Sequence, residues 1–260
     1  MTLTMSNIAH LLSVHERNIY ELIKSYAKIY PNMTKLFEYN QPFKSRIPGY
    51  EAREVTPSSR LSSDGVSIWY DDSLRRTKTK LSDLIVSNSF DLFCTFTFAE
   101  DRYNIEHLRK QMQFWLNNQQ KRVGKFGYLI VPEFHGDKKA IHFHALFSGY
   151  KGRLVDSGHK RKDGRVVYNI KGYTIGFSTA TKIDTVGVPL VASYVKKYIT
   201  KDMPQFSNKK RYWCSHGLIR PMKVKNPVVF PYEYEKFTEQ HQTTNYNVRI
   251  AKEKINLIGS

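Results

Sequence analysis

Cysteine is nearly missing from this chain. Cys94 and Cys214 alone can build neither a disulfide scaffold nor a four-cysteine zinc site. Long apolar runs are missing too: no stretch of 18 or more apolar residues occurs, which excludes a membrane-spanning helix. The opening residues, MTLTMSNIAHLLSVHERN, carry neither a basic start nor an extended apolar stretch, so no signal peptide is expected. Repeats and low-complexity tracts are absent. Acidic residues are scarce, 23 Asp and Glu against 41 Lys and Arg, which leaves a net charge of +18 over 260 residues. Apolar and aromatic matter is plentiful: 40% of residues are hydrophobic, with 15 Phe and 17 Tyr, and general disorder is thereby excluded. The expectation is a soluble, intracellular, strongly basic protein with one large domain or two small ones.

The positive charge is unevenly spread. Residues 1–95 carry 12 basic and 10 acidic side chains and are close to neutral. Residues 151–171 carry 7 basic against 2 acidic, and residues 196–225 carry 9 basic against Asp202 alone. One lysine-rich segment is usually a solvated loop. Two of them bracketing an apolar, tyrosine-bearing helix point instead to a basic groove for a polyanion, and nucleic acid is the commonest one. Tyr168, Tyr173, Tyr212 and Trp213 lie among these charges and add stacking surface of the kind single strands use. The candidate nucleic-acid contacts are Lys160, Arg161, Lys162, Arg165, Lys196, Lys209, Lys210 and Arg211.

Along the chain, Ile8, Leu11, Leu12, Ile19, Leu22, Ile23, Tyr26 and Tyr30 follow helical spacing, with Ser6 or Asn7 as cap and Pro31 as stop. Residues 40–65 read as loop or linker, Val66–Tyr70 as a short strand, and Leu74 to Asn88 as a basic amphipathic helix. From residue 90 the pattern changes. Phe90–Phe98 alternates as a strand, Asn104–Arg122 is helical, and Phe126–Glu133 and Ala140–Phe147 read as two strands around a six-residue loop. Val166–Ile170 and Tyr173–Thr181 pair as a hairpin through Lys171-Gly172, and Val188–Lys201 is a helix with Pro189 in its first turn. This order predicts an α+β fold with a central antiparallel sheet and flanking helices.

His142 and His144 lie two apart on a predicted strand, so both imidazoles point to one face, while Phe143 faces the other. If the hairpin turns between Asp137 and Lys138, Glu133 lies opposite His142 with Cβ atoms ~4.5–5.5 Å apart. Two imidazoles and a carboxylate then converge, and the ligand face is expected to stay polar. A one-residue slip sends Glu133 to the opposite face. Such a donor set suits Mn²⁺, Mg²⁺, Zn²⁺ or Fe²⁺. His-x-His alone is a weak signal that two residues on a solvated sheet face would reproduce. His135 shares the parity of Glu133, but a loop histidine is the favoured reading.

Tyr194 and Tyr198 are spaced i, i+4 on one helix face, and Lys197 and Lys201 each follow a tyrosine by three positions. Aromatics at this spacing usually belong to a core stripe. Tyrosine is an odd choice for that purpose beside four lysines, because each buried hydroxyl needs a partner. Chemistry offers a reason: a tyrosine can attack a phosphodiester and hold the 5′-phosphate as an ester, conserving bond energy for rejoining. Its free pKa of ~10 calls for a cation or a base nearby. A divalent metal polarises the scissile phosphate, and a lysine positions it.

With FTF at 96–98, IHFHAL at 141–146 and YVKKYITK at 194–201 in this order, the chain resembles the rolling-circle replication initiators of the HUH endonuclease superfamily. The nearest resemblance is to the two-tyrosine initiators of small single-stranded-DNA phages and some bacterial plasmids. The likeness covers about residues 88–222, and KRYWCSHGL at 210–218 looks like the tail of such initiators. It implies an RRM-like βαββαβ core at 89–225, between a mainly helical accessory region at 1–88 and a tail at 226–260. It also implies Mg²⁺ or Mn²⁺ on Glu133, His142 and His144, nucleophiles at Tyr194 and Tyr198, and lysines in support at Lys197 and Lys201. The implied activity is a metal-dependent nick in single-stranded DNA at an origin, often presented in a hairpin. The protein becomes covalently joined to the 5′ end, and a free 3′-OH primes synthesis. No Gly-x-x-x-x-Gly-Lys-Ser/Thr loop is present, so unwinding is expected from a host helicase and synthesis from a host polymerase, in the cytoplasm of a prokaryotic cell.

Three rivals stand beside this reading. A transposase or conjugative relaxase would use the same site on another substrate. A non-catalytic binder of single-stranded nucleic acid would show steep salt dependence and no cleavage. A non-haem iron oxygenase would explain two histidines and a carboxylate but leave the tyrosine pair and the charge idle, and ranks last.

Overall fold

The computed structural model describes residues 20–46, 68–184, 188–200, 202–255 and 257. The chain divides into two compact units, one from residues 1–60 with 221–260, the other from residues 61–220. The fold is α+β, with two antiparallel sheets and few helices. Among the described residues no helix is long and apolar enough to cross a membrane.

The first unit is built on a hairpin of β1 (Tyr20–Tyr30) and β2 (Met33–Arg46), joined through Pro31-Asn32. Three strands from the end of the chain complete a five-stranded sheet: β10 (Met222–Lys225) beside β1, β12 (Tyr246–Ala251) beside β2, and β11 (Glu239–Gln242) on the outer edge. Residues 226–260, read from sequence as a tail, thus supply sheet. The helix expected over 8–30 is overturned for residues 20–30, which are strand; residues 8–19 lie outside the described residues. The physical reason is a bulge between Ile23 and Ser25, which leaves Ile23 and Ala27 buried four positions apart and imitates a helix. Pro31, which would stop a helix, serves equally well in a two-residue hairpin turn.

The second unit begins with α1 (Ile68–Ser87), so the short strand expected at Val66–Tyr70 is the opening turn of a helix from residue 68 on. β3 (Leu92–Phe96), α2 (Ile105–Val123), β4 (Gly127–Phe134) and β5 (Ile141–Ser148) follow where the sequence pattern placed them. Asn104 caps α2 by accepting a hydrogen bond from the His107 N–H at 3.2 Å, and Leu108, Met112, Trp115 and Leu116 are its buried stripe. β6 (Leu154–Lys160) was read as loop, because an exposed edge strand broken by a bulge between Asp156 and His159 shows no apolar alternation. β7 (Val166–Ile170) pairs along its length with β6 and meets β8 (Ser178–Lys182) at Tyr168 and Ala180, in place of the simple hairpin expected. Residues 173–177 are not strand; the Gly176 backbone lies so close to Thr97 that an added Cβ would stand 2.3 Å from its carbonyl oxygen. α3 (Val188–Lys196) comes next, and β9 (Trp213–Cys214) closes the unit.

The seven strands order as β6-β7-β8-β3-β5-β4-β9. Alternate side chains of the central strands feed two cores. Leu92, Cys94, Phe96, Phe143 and Phe147 pack with α2 on one face, and Phe93, Leu129, Val131 and Leu146 pack with residues of α1 and α3 on the other. The segment 210–218, without a role at the level of sequence, covers the sheet edge: Cys214 and Trp213 pair with Leu129 and Ile130, and Ser215 bonds the Tyr128 backbone at both N–H and carbonyl.

Candidate active site

The hairpin of β4 and β5 sets the site. Its register pairs Glu133 with His142 directly, as the turn between Asp137 and Lys138 requires. The turn is held by the Asp137 carboxylate, which accepts the backbone N–H groups of Lys139 and Ala140, each at 2.9 Å. Those two bonds hold the Asp137 carboxyl below its ordinary pKa.

Across that register, Glu133 Oε2 lies 2.7 Å from His142 Nε2 and 2.6 Å from His144 Nε2, and the two Nε2 atoms are 3.1 Å apart. Among the described residues this is the single group of three His, Cys, Asp or Glu side chains whose ligand atoms converge as a metal requires. The donor set fits a divalent cation: one carboxylate and two imidazoles, with atoms spaced much as neighbouring ligands at ~2.1 Å from one ion would be. Burial pushes the Glu133 carboxyl up, yet the hydrogen bonds from His144 and His142 outweigh it and hold the group below its usual value. Burial lowers His144, and the bond to Glu133 offsets part of that. His144 therefore favours the neutral, ligating form.

The ligand face is not polar throughout, as had been expected. His144 is only 6% exposed, and Leu146 on the same face is part of the core with Phe93 and Val131. Polarity is confined to the end of the strand at Glu133 and His142. His135 stays outside the triad, with its ring 6.0 Å from that of His142. Sequence reasoning missed Thr95, whose hydroxyl meets His144 Nδ1 at 3.1 Å from the opposite position on β3. This contact orients the ring so that Nε2 faces Glu133. Thr95 has the parity of Phe93 rather than of Cys94 and Phe96, and that parity was the available signal.

α3 buries Ala192 and Val195, with Ile199 just beyond, against the core on this face of the sheet. The helix ends at Lys196, earlier than expected, and residues 197–199 continue with bonds to carbonyls three residues back. Through this tightened turn the Tyr198 ring lies flat on His144, with centroids 3.8 Å apart and planes at 14°. Tyr194 stands edge-on to Tyr198 at 5.3 Å and is 36% exposed. Burial, then the hydrogen bond with Tyr194, push the Tyr198 phenol far above its ordinary pKa.

Two cations face Tyr194: Lys197 Nζ at 5.9 Å and the Arg161 guanidinium at 6.0 Å from the ring centre. Arg161 comes from the tip of the β6–β7 hairpin, where its N–H bonds the Arg165 carbonyl. Arg161, Arg165, Tyr194 and Lys197 line one cleft of about 570 Å³, while Glu133, Lys138, Tyr198 and Met203 line another of about 450 Å³. Asp163 is bound to Arg165, which holds its carboxyl down to about 2. Lys160 and Lys162 are exposed on the same hairpin, and Lys196 is half-buried at the end of α3. Lys210 and Arg211 stand on the far side of β9, Arg211 buried and bonded to Ser73. Lys209 ends the short turn Ser207–Lys209, and Lys201 lies outside the described residues.

Residues 91–203, which run from just before β3 past α3 and contain the triad and both tyrosines, match the family of replication-associated proteins of the ORF2 type. Neither the curated proteins nor the solved structures give a match. The family match supports a role in the initiation of replication, with DNA as the partner.

Proposed function

We propose that the chain is an origin-nicking replication initiator that cuts single-stranded DNA by tyrosine transesterification. The observation that carries the reading is the stacking of Tyr198 on His144 at 3.8 Å, with Tyr194 edge-on beside it, which joins the tyrosine pair to the ligand triad. Glu133, His142 and His144 would hold Mg²⁺ or Mn²⁺. That ion, when bound, supplies Lewis-acid polarisation of the scissile phosphate.

The chain's own residues supply the rest. A tyrosine oxygen attacks phosphorus and forms a new phosphotyrosine ester to the 5′ side. The bond to the 3′ oxygen breaks, and that oxygen leaves as a 3′-OH, so the phenol's proton is balanced by the one gained on the leaving group. Arg161 and Lys197, within 6.0 Å of the Tyr194 ring, neutralise charge on the phosphate and steer the strand into the cleft. Two adjacent phenols allow a second cut while the first still holds DNA.

The test is a denaturing gel of the protein incubated with single-stranded DNA from its own replicon, with Mn²⁺ or with chelator. A metal-dependent adduct that survives SDS and vanishes in the double variant Tyr194→Phe, Tyr198→Phe is expected. Salt-sensitive binding without cleavage would turn the assignment to a non-catalytic DNA binder.

A further inference from the structure

A second cleft, of about 730 Å³, opens at the β9 edge of the seven-stranded sheet, and nothing in the triad or the tyrosine pair lines it. α1 contributes Ser73, Thr77 and Lys80 to it, α2 contributes Arg109, and the segment from Phe206 to Arg220 supplies the remaining wall. Five Lys and Arg side chains line the cleft and no Asp or Glu does. Two of the five serve the fold as well: Arg109 pairs with Glu106 at 3.4 Å, and buried Arg211 donates to Ser73 Oγ at 3.1 Å. Arg220 bonds the Tyr212 hydroxyl, which fixes the direction of its guanidinium. Lys80, Lys210 and Arg220 are exposed, and Tyr212 and Trp213 are half-exposed between them.

Spaced exposed cations, hydroxyls and two partly bare aromatic rings suit a strand that brings phosphates and bases in alternation. Position suits it too. Met203 lines the pocket at Glu133 and Tyr198, and Phe206 lines this cleft. Three residues of chain span at most ~11 Å, about the reach of three stacked nucleotides.

We propose that this cleft binds the single-stranded DNA that flanks the cleavage point, with Lys80, Lys210 and Arg220 on its phosphates. The identity of the ligand rests on the reading of the chain as a DNA-nicking initiator. The cleft makes that reading two-sided: the β6–β7 hairpin tip faces the strand near Tyr194, and the β9 edge holds the strand on the far side of the triad.

The test measures the affinity of the full chain for a single-stranded dT 20-mer against salt concentration. Each lost phosphate contact on a single strand lowers the slope of log K against log salt by ~0.7. The double variant Lys80→Gln, Lys210→Gln is expected to lose about 1.4 from that slope, while Lys80→Arg, Lys210→Arg keeps the original value. Arg220→Gln alone is expected to lose about half as much. An unchanged slope in the glutamine double variant overturns the proposal. The two readings fail separately: an SDS-stable adduct with an unchanged slope sinks the cleft alone, whereas a lowered slope with no adduct from the unsubstituted chain keeps the cleft and sinks the nicking.

Discussion

Two hairpins, one in each unit, are built to different standards. β4 and β5 lie at the centre of a seven-stranded sheet, with Phe143 buried on one face and His144 on the other. Their turn is fixed by the Asp137 carboxylate, and their register runs without a break from Gly127 opposite Ser148 to Phe134 opposite Ile141. β1 and β2 are longer, slip register at a bulge between Ile23 and Ser25, and bury one face fully, at Ala27, Ile29, Thr34 and Leu36. Their other face carries Tyr26, Phe37 and Tyr39, which stay partly exposed. A bulge is tolerable where strands supply packing alone. It is not tolerable where Glu133 must meet two histidines of the neighbouring strand, because one slipped residue removes the carboxylate from the site.

Core truncation tests this contrast most forcefully. Phe143→Ala removes a fully buried ring from the face opposite His142 and His144 and is expected to cost about 3–5 kcal/mol of stability. Backbone relaxation at residue 143 then displaces both flanking histidines, so Mn²⁺ affinity measured by calorimetry falls with it. Leu36→Ala empties comparable space between β1 and β12, is expected to cost about 2–5 kcal/mol, and leaves Mn²⁺ affinity unchanged. Equal loss of Mn²⁺ affinity in both variants would break the contrast.

The same contrast governs how much was legible in the sequence. Around β4 and β5, continuous apolar residues, a polar loop with Gly136 and Asp137, and histidines of one parity all point to one register, and Glu133 follows from arithmetic. In β1, apolar residues four apart satisfy a helix and a bulged strand equally, and propensity cannot choose between them. Thr95 was hidden for another reason. Its parity is visible in Phe93-Cys94-Thr95-Phe96, but its meeting with His144 depends on β3 lying beside β5, a pairing across 49 residues that no local pattern encodes. The edge pairing of β9 with β4 is more remote still, at 83 residues for Ile130 and Trp213, and Trp213 looked like a stacking platform rather than a partial cover for the core. Long-range pairing is decided by total burial, and a short polar or basic stretch carries little trace of it.

A smaller effect sharpens the picture within β3. Thr95→Val keeps the shape of the side chain and removes the hydroxyl that meets His144 Nδ1 at 3.1 Å. Outer contacts of this kind typically hold metal affinity by ~10–100-fold, so Mn²⁺ binding is expected to weaken by about that factor with little change in the thermal midpoint. An unaltered affinity would mean that ring packing, chiefly Phe93 and Tyr198 against His144, fixes the imidazole without help from the hydroxyl.

The smallest expected effect lies in the turn. Asp137 is exposed, and its carboxyl is held below the usual value by the N–H groups of Lys139 and Ala140. A carboxyl lowered on folding contributes stability that is present above its unfolded pKa of ~3.9 and is lost as pH falls through its folded value. The stability difference between the unsubstituted chain and Asp137→Ala should therefore be constant at neutral pH and shrink below about pH 4. Asp137→Asn can still accept both N–H groups through its amide oxygen, so it should keep more of the turn at neutral pH than alanine while losing the acid-dependent part. Chemical denaturation at pH 7 and pH 3 separates the two contributions. If alanine and asparagine behave alike at both pH values, the register of β4 and β5 is set by the packing of the strands, and the turn merely follows.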